Sequence, residues 1–320
     1  MVGLVLDGSN NFFEVECEDG ITRTCSLKGK ILKGCEGYYN PLAPGDNVIL
    51  EEDTLEESKG QITSLSERKN EFVRWNVKKR LPQLLASNLD YLLIVTTPDM
   101  PPFRPRFIDR ALAQAEYEKI TPVIVCNKYD LKSNSDDEME NRLHVWEDIG
   151  YKVLRVSAKT GEGMVELAQI LENHLSAFVG QSGVGKSSLI NVLDNTCVLR
   201  TGSLSQKYGR GTHTTTKGVL MHIQLDEALM GGIHGSTANI IDTPGVRRFV
   251  LHDITADNLA LYFKEFVPYL GKCTFGMSCS HLSEKGCAIK EAVESGKISE
   301  ERYDSWNRIA EEIRTGSWED

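Results

Sequence analysis

The sequence lacks an excess of positive charge. Its 36 lysine and arginine residues are outnumbered by 46 aspartate and glutamate residues, and the formal net charge is −10. A protein that binds nucleic acid by general charge attraction is usually basic. The composition therefore argues against that class of protein. It does not exclude local basic patches on the surface.

Long apolar runs and targeting patterns are also missing. No stretch of the sequence approaches the roughly 18 apolar residues that span a bilayer, which argues against a membrane protein. The first residues, Met1-Val2-Gly3-Leu4, do not show the basic, apolar and small-residue succession of a secretory signal. We therefore expect a cytoplasmic protein. The sequence also has no internal repeat and no low-complexity tract.

Cysteine is sparse and unevenly distributed. Five of the eight cysteines are scattered, and such thiols in a long cytosolic chain are ordinary small buried residues. The other three, Cys273, Cys279 and Cys287, lie in one short stretch together with His281. A local cluster of this kind indicates a metal site.

Residue patterns divide the 320-residue chain, which is long enough for two or three domains. Short β-rich segments separated by turn residues predict a β-barrel over residues 1–67, with an OB-fold as first choice. Residues 68–87 read as a linker. Over residues 88–250, buried apolar strands alternate with helical stretches, which predicts an α/β domain with a central, mostly parallel sheet. Residues 251–320 are predicted to be helical around the Cys/His cluster.

The predicted elements of the α/β region are one early helix and six strands. The helix is predicted over 106–119, and the strands over 91–95, 122–126, 152–156, 177–179, 218–224 and 238–241. In the last helix of the chain, Tyr303, Trp306, Ile309 and Ile313 recur at helical spacing and indicate a side that faces the core.

The strongest local motif is Gly180-Gln181-Ser182-Gly183-Val184-Gly185-Lys186-Ser187-Ser188, which matches the phosphate-binding loop pattern G-x-x-x-x-G-K-[ST]. The glycines allow backbone N–H groups to surround phosphates, and the positive end of the following helix faces them. Lys186 is expected to reach the β- and γ-phosphates, and Ser187 to bind Mg²⁺.

A second motif, Asn127-Lys128-Tyr129-Asp130, follows a predicted buried strand and matches the N-K-x-D pattern that selects guanine. A carboxylate at Asp130 accepts two hydrogen bonds from guanine, whereas adenine presents neither donor and would leave it unpaired. Asn127 and the Lys128 stem complete the predicted base pocket. About 30 residues later, Ser157-Ala158-Lys159 matches the other base-contacting loop of GTPases.

Two further motifs concern the γ-phosphate. Asp242-Thr243-Pro244-Gly245 matches D-x-x-G, in which Asp242 holds Mg²⁺ through water and the Gly245 N–H contacts the γ-phosphate. A switch threonine that binds Mg²⁺ only in the GTP state is expected among Thr214, Thr215 and Thr216. The residues leave the choice among the three open, and we favour Thr215.

The order of the motifs is the decisive feature. An ordinary small GTPase runs from phosphate loop to switch threonine, D-x-x-G, N-K-x-D and S-A-K, whereas here N-K-x-D and S-A-K come first. With a β-rich region before and a Cys/His cluster after, this arrangement resembles the RsgA family, also called YjeQ or YloQ, over essentially the whole chain. The features that carry the resemblance include the phosphate loop, His213-Thr214-Thr215-Thr216 and Pro268-Tyr269-Leu270-Gly271-Lys272-Cys273.

The resemblance implies an OB-fold, a circularly permuted P-loop GTPase domain and a helical zinc-binding domain. It also implies that the protein binds the small ribosomal subunit and its rRNA, acts in late assembly or maturation of the subunit, and hydrolyses GTP to GDP and phosphate with stimulation by the subunit. We expect a monomer.

The Cys/His cluster predicts one structural zinc ion. Three thiolates and one imidazole, from Cys273, Cys279, His281 and Cys287, suit tetrahedral Zn²⁺ with no open position. The RsgA family more usually has four residues between the first two cysteines, and this chain has five, which bears on the shape of the loop more than on metal binding.

The hydrolytic step is expected to depend on a partner. Many GTPases place a water-orienting glutamine just after D-x-x-G, but Val246 occupies that place and cannot hydrogen-bond to water. We therefore predict slow intrinsic hydrolysis, with His213, which the resemblance also indicates, as the group that orients or deprotonates water. The predicted catalytic residues are His213, Lys186 and Thr215.

Candidate RNA contacts lie in basic stretches. Residues 200–217 contain four lysine or arginine residues and no acidic residue, and Lys78-Lys79-Arg80 and Arg247-Arg248 are also basic. The barrel region, with 5 basic and 13 acidic residues, has a net charge of −8 and is a poor electrostatic attractor of RNA. RNA contact by the barrel is implied by the resemblance alone, with Lys28, Lys30 and Lys33 as a local patch.

Two other functions compete with a GTPase. Asp130 argues against a P-loop ATPase or nucleotide kinase. A nucleotide-competition assay would distinguish such an enzyme from a GTPase. The second alternative is a zinc-dependent nucleic-acid-binding regulator with a vestigial nucleotide site. The intact Lys186, Ser187 and Asp242 argue against it, and a turnover assay would distinguish it from an active GTPase.

Overall fold

The structure is a computed structural model that describes residues 1–9, 11–29, 32, 35, 37–133, 137–196, 218–245 and 249–318. It contains a small barrel, a two-stranded hairpin, a six-stranded sheet with helices on both faces, and a C-terminal helical region. The fold class predicted from the sequence is confirmed. Among the described residues, no helix is both long and apolar enough to cross a membrane.

The barrel is closed and five-stranded, in the order β1-β2-β3-β5-β4, with β4 paired back to β1. Side chains alternate along its strands, so that Val5, Phe13, Val15 and Ile62 fill the interior while their neighbours face outward. Its strands are β1 (Val2–Ser9), β2 (Phe12–Cys17), β3 (Thr22–Leu27), β4 (Asn47–Glu52) and β5 (Lys59–Leu65).

The segment that the sequence assigns to a linker, residues 68–87, contains an antiparallel hairpin. Its strands are β6 (Glu71–Asn76) and β7 (Leu81–Ser87). Phe72, Leu85 and Ala86 are buried in the main core, which a linker reading does not anticipate. Pattern reasoning missed the hairpin because a two-stranded ribbon is stabilised by packing against distant parts of the chain. The domain boundaries themselves stay a prediction.

The central sheet has the order β10-β9-β8-β11-β13-β12. Its strands pair in parallel except for β12, which is antiparallel to β13 at one edge. The predicted helix and six strands are present with bounds shifted by one or two residues. The strands are β8 (Tyr91–Thr96), β9 (Thr121–Cys126), β10 (Lys152–Arg155), β11 (Leu175–Gly180), β12 (Val219–Gln224) and β13 (Thr237–Asp242).

Four helices cover the two faces of this sheet. Successive residues of β8 point to opposite faces, so Leu92 and Ile94 join one apolar cluster and Leu93 and Val95 the other. The first cluster includes α1 (Pro105–Tyr117) and α2 (Asp137–Ile149), and the second includes α3 (Met164–Leu171) and α4 (Lys186–Leu193).

The C-terminal region packs on the α1 face of the sheet. It contains α5 (Ala288–Glu294) and α6 (Glu300–Thr315), and its buried residues belong to the same apolar cluster as α1. The predicted stripe of α6 faces inward: Trp306 and Ile309 are fully buried, and Tyr303 and Ile313 are partly buried against the core.

A buried ionic network fixes this packing. Asp109 of α1 is fully buried and accepts hydrogen bonds from Arg142 of α2, Arg302 of α6 and the Trp146 indole. Because each buried charge has a partner, the network favours one arrangement of the three helices. Removal of Asp109 would take one carboxylate partner from each arginine, although Glu301 and Glu265 would still contact them.

Candidate functional site

The sequence motifs converge at one edge of the sheet. Strands β8, β9, β10, β11 and β13 run parallel, so their carboxyl ends lie on the same side. The chain order along the sheet reverses between β8 and β11, which are adjacent. In open α/β sheets, ligands bind at the carboxyl ends beside such a reversal. The phosphate loop follows β11 at this place.

The phosphate loop needs its glycines for geometric reasons. Gly183 and Gly185 have φ of +89° and +93°, a region that side chains disfavour. A Cβ on Gly180 would lie 2.5 Å from the Val95 carbonyl oxygen of β8. The loop leads directly into α4, whose N-terminal N–H groups have no helical partners. This arrangement is an anion-binding cradle.

Lys186 is buried at the start of α4. Its ammonium group donates to the Gly180 carbonyl oxygen at 3.2 Å and to that of Gln181 at 3.5 Å, so the side chain folds back along the loop. Burial lowers the pKa of Lys186, and the nearby Asp242 carboxylate opposes this effect. A phosphate in the cradle would give the ammonium group an anionic partner.

Asp242 ends β13 as a buried carboxylate. Neither of its oxygens has a hydrogen-bond partner among the described residues. Burial raises its pKa to about 6, although the Lys186 ammonium acts in the opposite direction. The next residue, Thr243, anchors the loop by donating its hydroxyl to the Phe178 carbonyl oxygen at 2.7 Å. Such an unpaired acidic group is suited to a cation or to water held by one.

The D-x-x-G loop lies against the phosphate loop. A Cβ on Gly245 would lie 2.9 Å from both the Cα and the N of Ser182, so only glycine fits there. Because of this close approach, the Gly245 N–H lies beside the cradle. Asp242 lies near Lys186, the residue before Ser187. A carboxylate and a hydroxyl are oxygen donors that Mg²⁺ prefers, so Asp242 and Ser187 fit that ion.

Asn127 joins the phosphate loop to the base-binding loops. Its amide nitrogen donates to the Val184 carbonyl oxygen at 2.9 Å, and its amide oxygen accepts from the Ala158 N–H at 3.2 Å. Lys128, in the left-handed region, donates to the carbonyl oxygens of Gly183 at 2.6 Å and Met100 at 2.7 Å. The side chains of Asn127 and Lys128 therefore hold the phosphate loop close to the two predicted base-binding loops.

Asp130 lies in a short 3₁₀ turn after β9, facing the loop after β10. One carboxylate oxygen accepts from the buried Ser157 hydroxyl at 2.7 Å, and the other lies 3.8 Å from the exposed Lys159 ammonium. The Tyr129 side chain does not join these contacts with the loop after β10; its hydroxyl donates to Glu140 of α2 at 2.6 Å. The carboxylate is thus held in orientation, and Tyr129 serves the scaffold.

The four cluster residues come together in the C-terminal region. The Cys273 sulfur lies 3.6 Å from His281 Nδ1 and 3.9 Å from the Cys287 sulfur, and Cys287 lies 3.5 Å from the same nitrogen. All four ligand atoms, including that of Cys279, lie within 4.8 Å of one another and are buried. Separations of this size suit ligands arranged around one tetrahedral ion.

The surroundings of the cluster orient the histidine. His281 has φ of +61°, its carbonyl oxygen accepts the Tyr303 hydroxyl at 2.6 Å, and its ring meets Trp306 edge to face. Burial raises the pKa of the Cys279 thiol to about 12 and also raises that of Cys287. A dication bound among these thiols would hold them as thiolates. The residue set therefore fits a metal ion.

Several predicted residues lie outside the described part of the chain. They are His213, the three candidate switch threonines, Val246, Arg247-Arg248, the basic segment 200–217, Lys30 and Lys33. Two residues that support the nucleotide site were not predicted. They are Thr243, whose hydroxyl anchors the D-x-x-G loop, and Met100, whose carbonyl oxygen accepts from Lys128. Thr243 lies inside its motif and was within reach of sequence reasoning, whereas the Met100 carbonyl gives no sequence signal.

Comparisons with known proteins agree with this geometry. The profile of the RsgA GTPase family matches residues 65–252. A protein named small ribosomal subunit biogenesis GTPase RsgA from Chlorobaculum tepidum is 39% identical, with 97% of each chain covered. The protein of the same name from Borreliella burgdorferi is 36% identical over 97% of this chain and 95% of its own length.

Solved structures show the same fold. YjeQ from Thermotoga maritima matches with a TM-score of 0.71 at 30% identity, covering 98% of both chains. YloQ, described as a circularly permuted GTPase, matches with a TM-score of 0.68 at 25% identity over the whole of this chain and 96% of its own. The motifs, their convergence and these relatives establish a GTP hydrolase with circularly permuted motifs, and the chain belongs to the RsgA GTPase family.

Proposed function

We propose that this GTPase binds the small ribosomal subunit and acts in its late assembly or maturation, hydrolysing GTP to GDP and phosphate faster when bound. The observation that carries the nucleotide part is the contact between Asp130 and Ser157 beside the phosphate loop. The names of the relatives, which are small ribosomal subunit biogenesis GTPases, support the choice of partner.

We propose that Asp130 is the residue that selects guanine. The Ser157 hydroxyl and Lys159 ammonium hold its carboxylate toward the loop after β10. That carboxylate accepts from two donors on guanine, and an adenine base would leave it unpaired. Asn127, Lys128, Ala158 and the phosphate loop complete the nucleotide site.

Phosphate binding uses the cradle after β11. Backbone N–H groups of residues 180–188 and the Lys186 ammonium bind the phosphates, and the Gly245 N–H contacts the γ-phosphate. Ser187, Asp242 and Thr215 hold Mg²⁺, which neutralises phosphate charge when bound. Of these, Thr215 lies outside the described residues.

The hydrolytic step uses His213 in this proposal. Val246 replaces the usual water-orienting glutamine, so another group must position the water. An imidazole near neutral pH can orient water or accept its proton, which contributes roughly 10²–10⁴-fold. His213 belongs to the basic segment 200–217, which contact with rRNA would place over the γ-phosphate. Hydrolysis is then slow alone and fast on the subunit.

The Cys/His cluster holds one structural zinc ion in this proposal. All four ligands are buried, and the cluster is part of the core that includes α1. Zinc binding therefore contributes to folding of the C-terminal region and not to hydrolysis.

Contact with rRNA is assigned to basic surface elements. At the tip of the β6–β7 hairpin, Lys78, Lys79 and Arg80 are exposed, and the Lys79 ammonium lies 5.9 Å from the ring centre of the exposed Tyr39. Such a tip supplies charge for phosphates and apolar surface for bases. We infer that the protein acts as a monomer in the cytoplasm, where small subunits are assembled.

A sedimentation experiment tests the proposed partner. The protein is centrifuged with small ribosomal subunits in the presence of a non-hydrolysable GTP analogue or of GDP, and we expect retention with the analogue and loss with GDP. Large subunits provide the control for non-specific RNA binding. Equal retention by both subunits, or none by either, would contradict the assignment.

A further inference from the structure

One carboxylate of α2 contacts both of the base-binding loops from behind. Glu140 lies in the first turn of α2, and its side chain is only 14% exposed. A charge buried to this extent needs partners. Glu140 has them in the turn that carries Asp130 and at the end of the strand that leads to Ser157. Glu140 belongs to neither sequence motif, so its place beside both follows from the fold.

The first oxygen of this carboxylate holds the N-K-x-D turn. Glu140 Oε1 accepts the Tyr129 hydroxyl at 2.6 Å, and the Lys132 ammonium lies 3.3 Å from the same oxygen. Lys132 also donates to the Tyr129 hydroxyl at 3.4 Å and lies 5.4 Å from the centre of its ring. Tyr129 and Lys132 lie on either side of Asp130 in the chain. These contacts therefore fix the turn both before and after the Asp130 carboxylate.

The second oxygen holds the end of β10. Glu140 Oε2 accepts from Arg155 Nε at 3.2 Å, and the exposed His144 ring lies 3.8 Å from it. Arg155 is the last residue of β10 and comes two residues before Ser157. A single side chain is thus bonded to the two chain segments that carry Asp130 and Ser157.

The two loops also contact each other directly. The Tyr129 N–H donates to the Val156 carbonyl oxygen at 3.0 Å, and the Ser157 hydroxyl donates to Asp130 at 2.7 Å. Those bonds join one loop to the other, whereas Glu140 fixes both of them to α2. The spacing of the loops is therefore defined by separate links.

The Glu140 carboxylate is ionised at neutral pH. Burial acts to raise its pKa, but the hydrogen bond from Tyr129 and the charges of Arg155 and Lys132 outweigh burial, so that the pKa lies below its ordinary value. Hydrogen bonds to an ionised acceptor are roughly twice as strong as those between neutral groups. The contacts of Glu140 are therefore strong enough to orient the loops.

We propose that Glu140 is a positioning residue for guanine selection, which holds the Asp130 turn and the Ser157 loop where the Asp130 carboxylate meets both donors of the base. The inference rests on the proposed function, in which Asp130 selects guanine, and deepens it by naming a residue outside the motifs. Hydrogen bonds weaken steeply when donor and acceptor are misaligned. A contact made of two parallel bonds is therefore sensitive to a small rotation of the turn.

The test compares two nucleotides that differ by one hydrogen-bond donor. GDP offers N1–H and a 2-amino group, whereas inosine diphosphate, IDP, lacks the 2-amino group. Dissociation constants of both are measured by calorimetry with Mg²⁺. The wild type should bind GDP about 10- to 100-fold more tightly than IDP, because a hydrogen bond to a charged group is lost with IDP. Glu140→Ala should lower this ratio by about 3- to 10-fold, because the Asp130 carboxylate is no longer aligned with the 2-amino group.

Two further variants separate positioning from folding. Glu140→Gln keeps an oxygen acceptor for the Tyr129 hydroxyl and should retain most of the GDP preference. Tyr129→Phe removes only that hydroxyl and should lower the ratio part of the way. The double variant Tyr129→Phe, Glu140→Ala should match Glu140→Ala, because the removed hydroxyl acts through the same contact.

Glu147→Gln is the matched control. Glu147 lies on the same helix and accepts from Arg155 at 2.6 Å, and its other contact is with His144. It is therefore a carboxylate bonded to β10 and not to the N-K-x-D turn, among the residues that the structure describes. Its replacement should leave the ratio of the two dissociation constants at the wild-type value.

A purely structural role for Glu140 would lower the melting temperature of Glu140→Ala and leave the ratio unchanged, and that result would overturn the proposal. If Glu140→Ala does not fold, Tyr129→Phe decides by the same ratio. A wild-type ratio in Tyr129→Phe would then overturn the proposal.

A second measurement separates this proposal from the assignment of Asp130. If the wild type binds GDP and IDP equally, the guanine role of Asp130 fails. Hydrogen exchange of the backbone amides of residues 129–132 and 157–160, in the protein without nucleotide, then decides whether Glu140 holds the two loops. Glu140→Ala should exchange faster than wild type in both loops and Glu147→Gln should not, whereas unchanged exchange in Glu140→Ala would overturn the positioning role.

Discussion

Replacement of Asp242 by asparagine should stabilise the protein in the absence of nucleotide and weaken its binding of Mg²⁺ and GTP. The side chain is buried, and neither carboxylate oxygen has a partner among the described residues. Asparagine has nearly the same shape and carries no charge. The variant therefore separates the cost of burying an unpaired charge from the packing of the residue.

The size of the effect follows from the pKa of Asp242. Burial raises it from 3.8 to about 6 against the opposing Lys186 ammonium, and a difference of about 2 corresponds to about 3 kcal/mol of folded-state cost at neutral pH. The asparagine amide is itself buried, which returns about 1–2 kcal/mol of that gain. We therefore expect the free energy of unfolding to rise by about 1–2 kcal/mol.

The assay is urea unfolding in EDTA without nucleotide, then with Mg²⁺ and GTP. The wild type should gain stability on ligand addition, and Asp242→Asn should gain much less. Asp194→Asn is the matched control, because the buried Asp194 accepts from the Thr196 N–H at 2.9 Å and from the Gln224 N–H at 3.2 Å, and its loss should destabilise the protein. Destabilisation of the empty protein by Asp242→Asn would show that burial of the Asp242 charge does not cost the folded state free energy.

Three further predictions concern specificity, metal and pH. Asp130→Asn should weaken GTP binding and favour xanthine nucleotides, whose 2-oxo group accepts from an amide; an unchanged GTP-to-XTP affinity ratio would contradict the base pocket. Elemental analysis should find one zinc per chain, lost in the Cys279→Ser, Cys287→Ser double variant together with C-terminal stability; full zinc retention would exclude this ligand set. Burial, with the Glu71 carboxylate adding to it, raises the pKa of Glu118 to about 8 from an ordinary 4.5. The folded state therefore loses stability as pH rises from about 4.5 to about 8, and Glu118→Gln should remove that slope and be more stable above pH 8 by about 1–3 kcal/mol in urea titrations. A slope equal to that of wild type would show that Glu118 is not its source.

The elements predicted well were those with local signals. Continuous apolar runs predicted β8 and β9, and sequence motifs predicted that Asn127, Lys186 and Asp242 bind the nucleotide. The structure brings these residues to one edge of the sheet, because the carboxyl ends of parallel strands lie on the same side. The permuted motif order is compatible with the sheet of an ordinary GTPase, since relocated chain ends can leave strand positions unchanged.

The features that were missed depend on contacts between distant parts of the chain. Asp109 reads as an ordinary polar residue of a helix, yet its partners Arg142 and Arg302 lie far along the sequence. The contact of Trp75 with Val250 is of the same kind. Such pairs follow from how elements pack, which residue patterns within one segment do not encode.

Single-turnover hydrolysis of GTP, with and without purified small ribosomal subunits, is the decisive measurement of whether this protein is a subunit-stimulated GTPase. We expect slow hydrolysis by the protein alone, because Val246 cannot orient water. With subunits the rate should be roughly 10²–10⁴-fold higher, which is the contribution of a positioned acid–base group. His213→Ala should lose most of that increase while GTP affinity stays near wild type. An equal wild-type rate with and without subunits would contradict the ribosomal role, and equal stimulation of both proteins would contradict the role of the histidine.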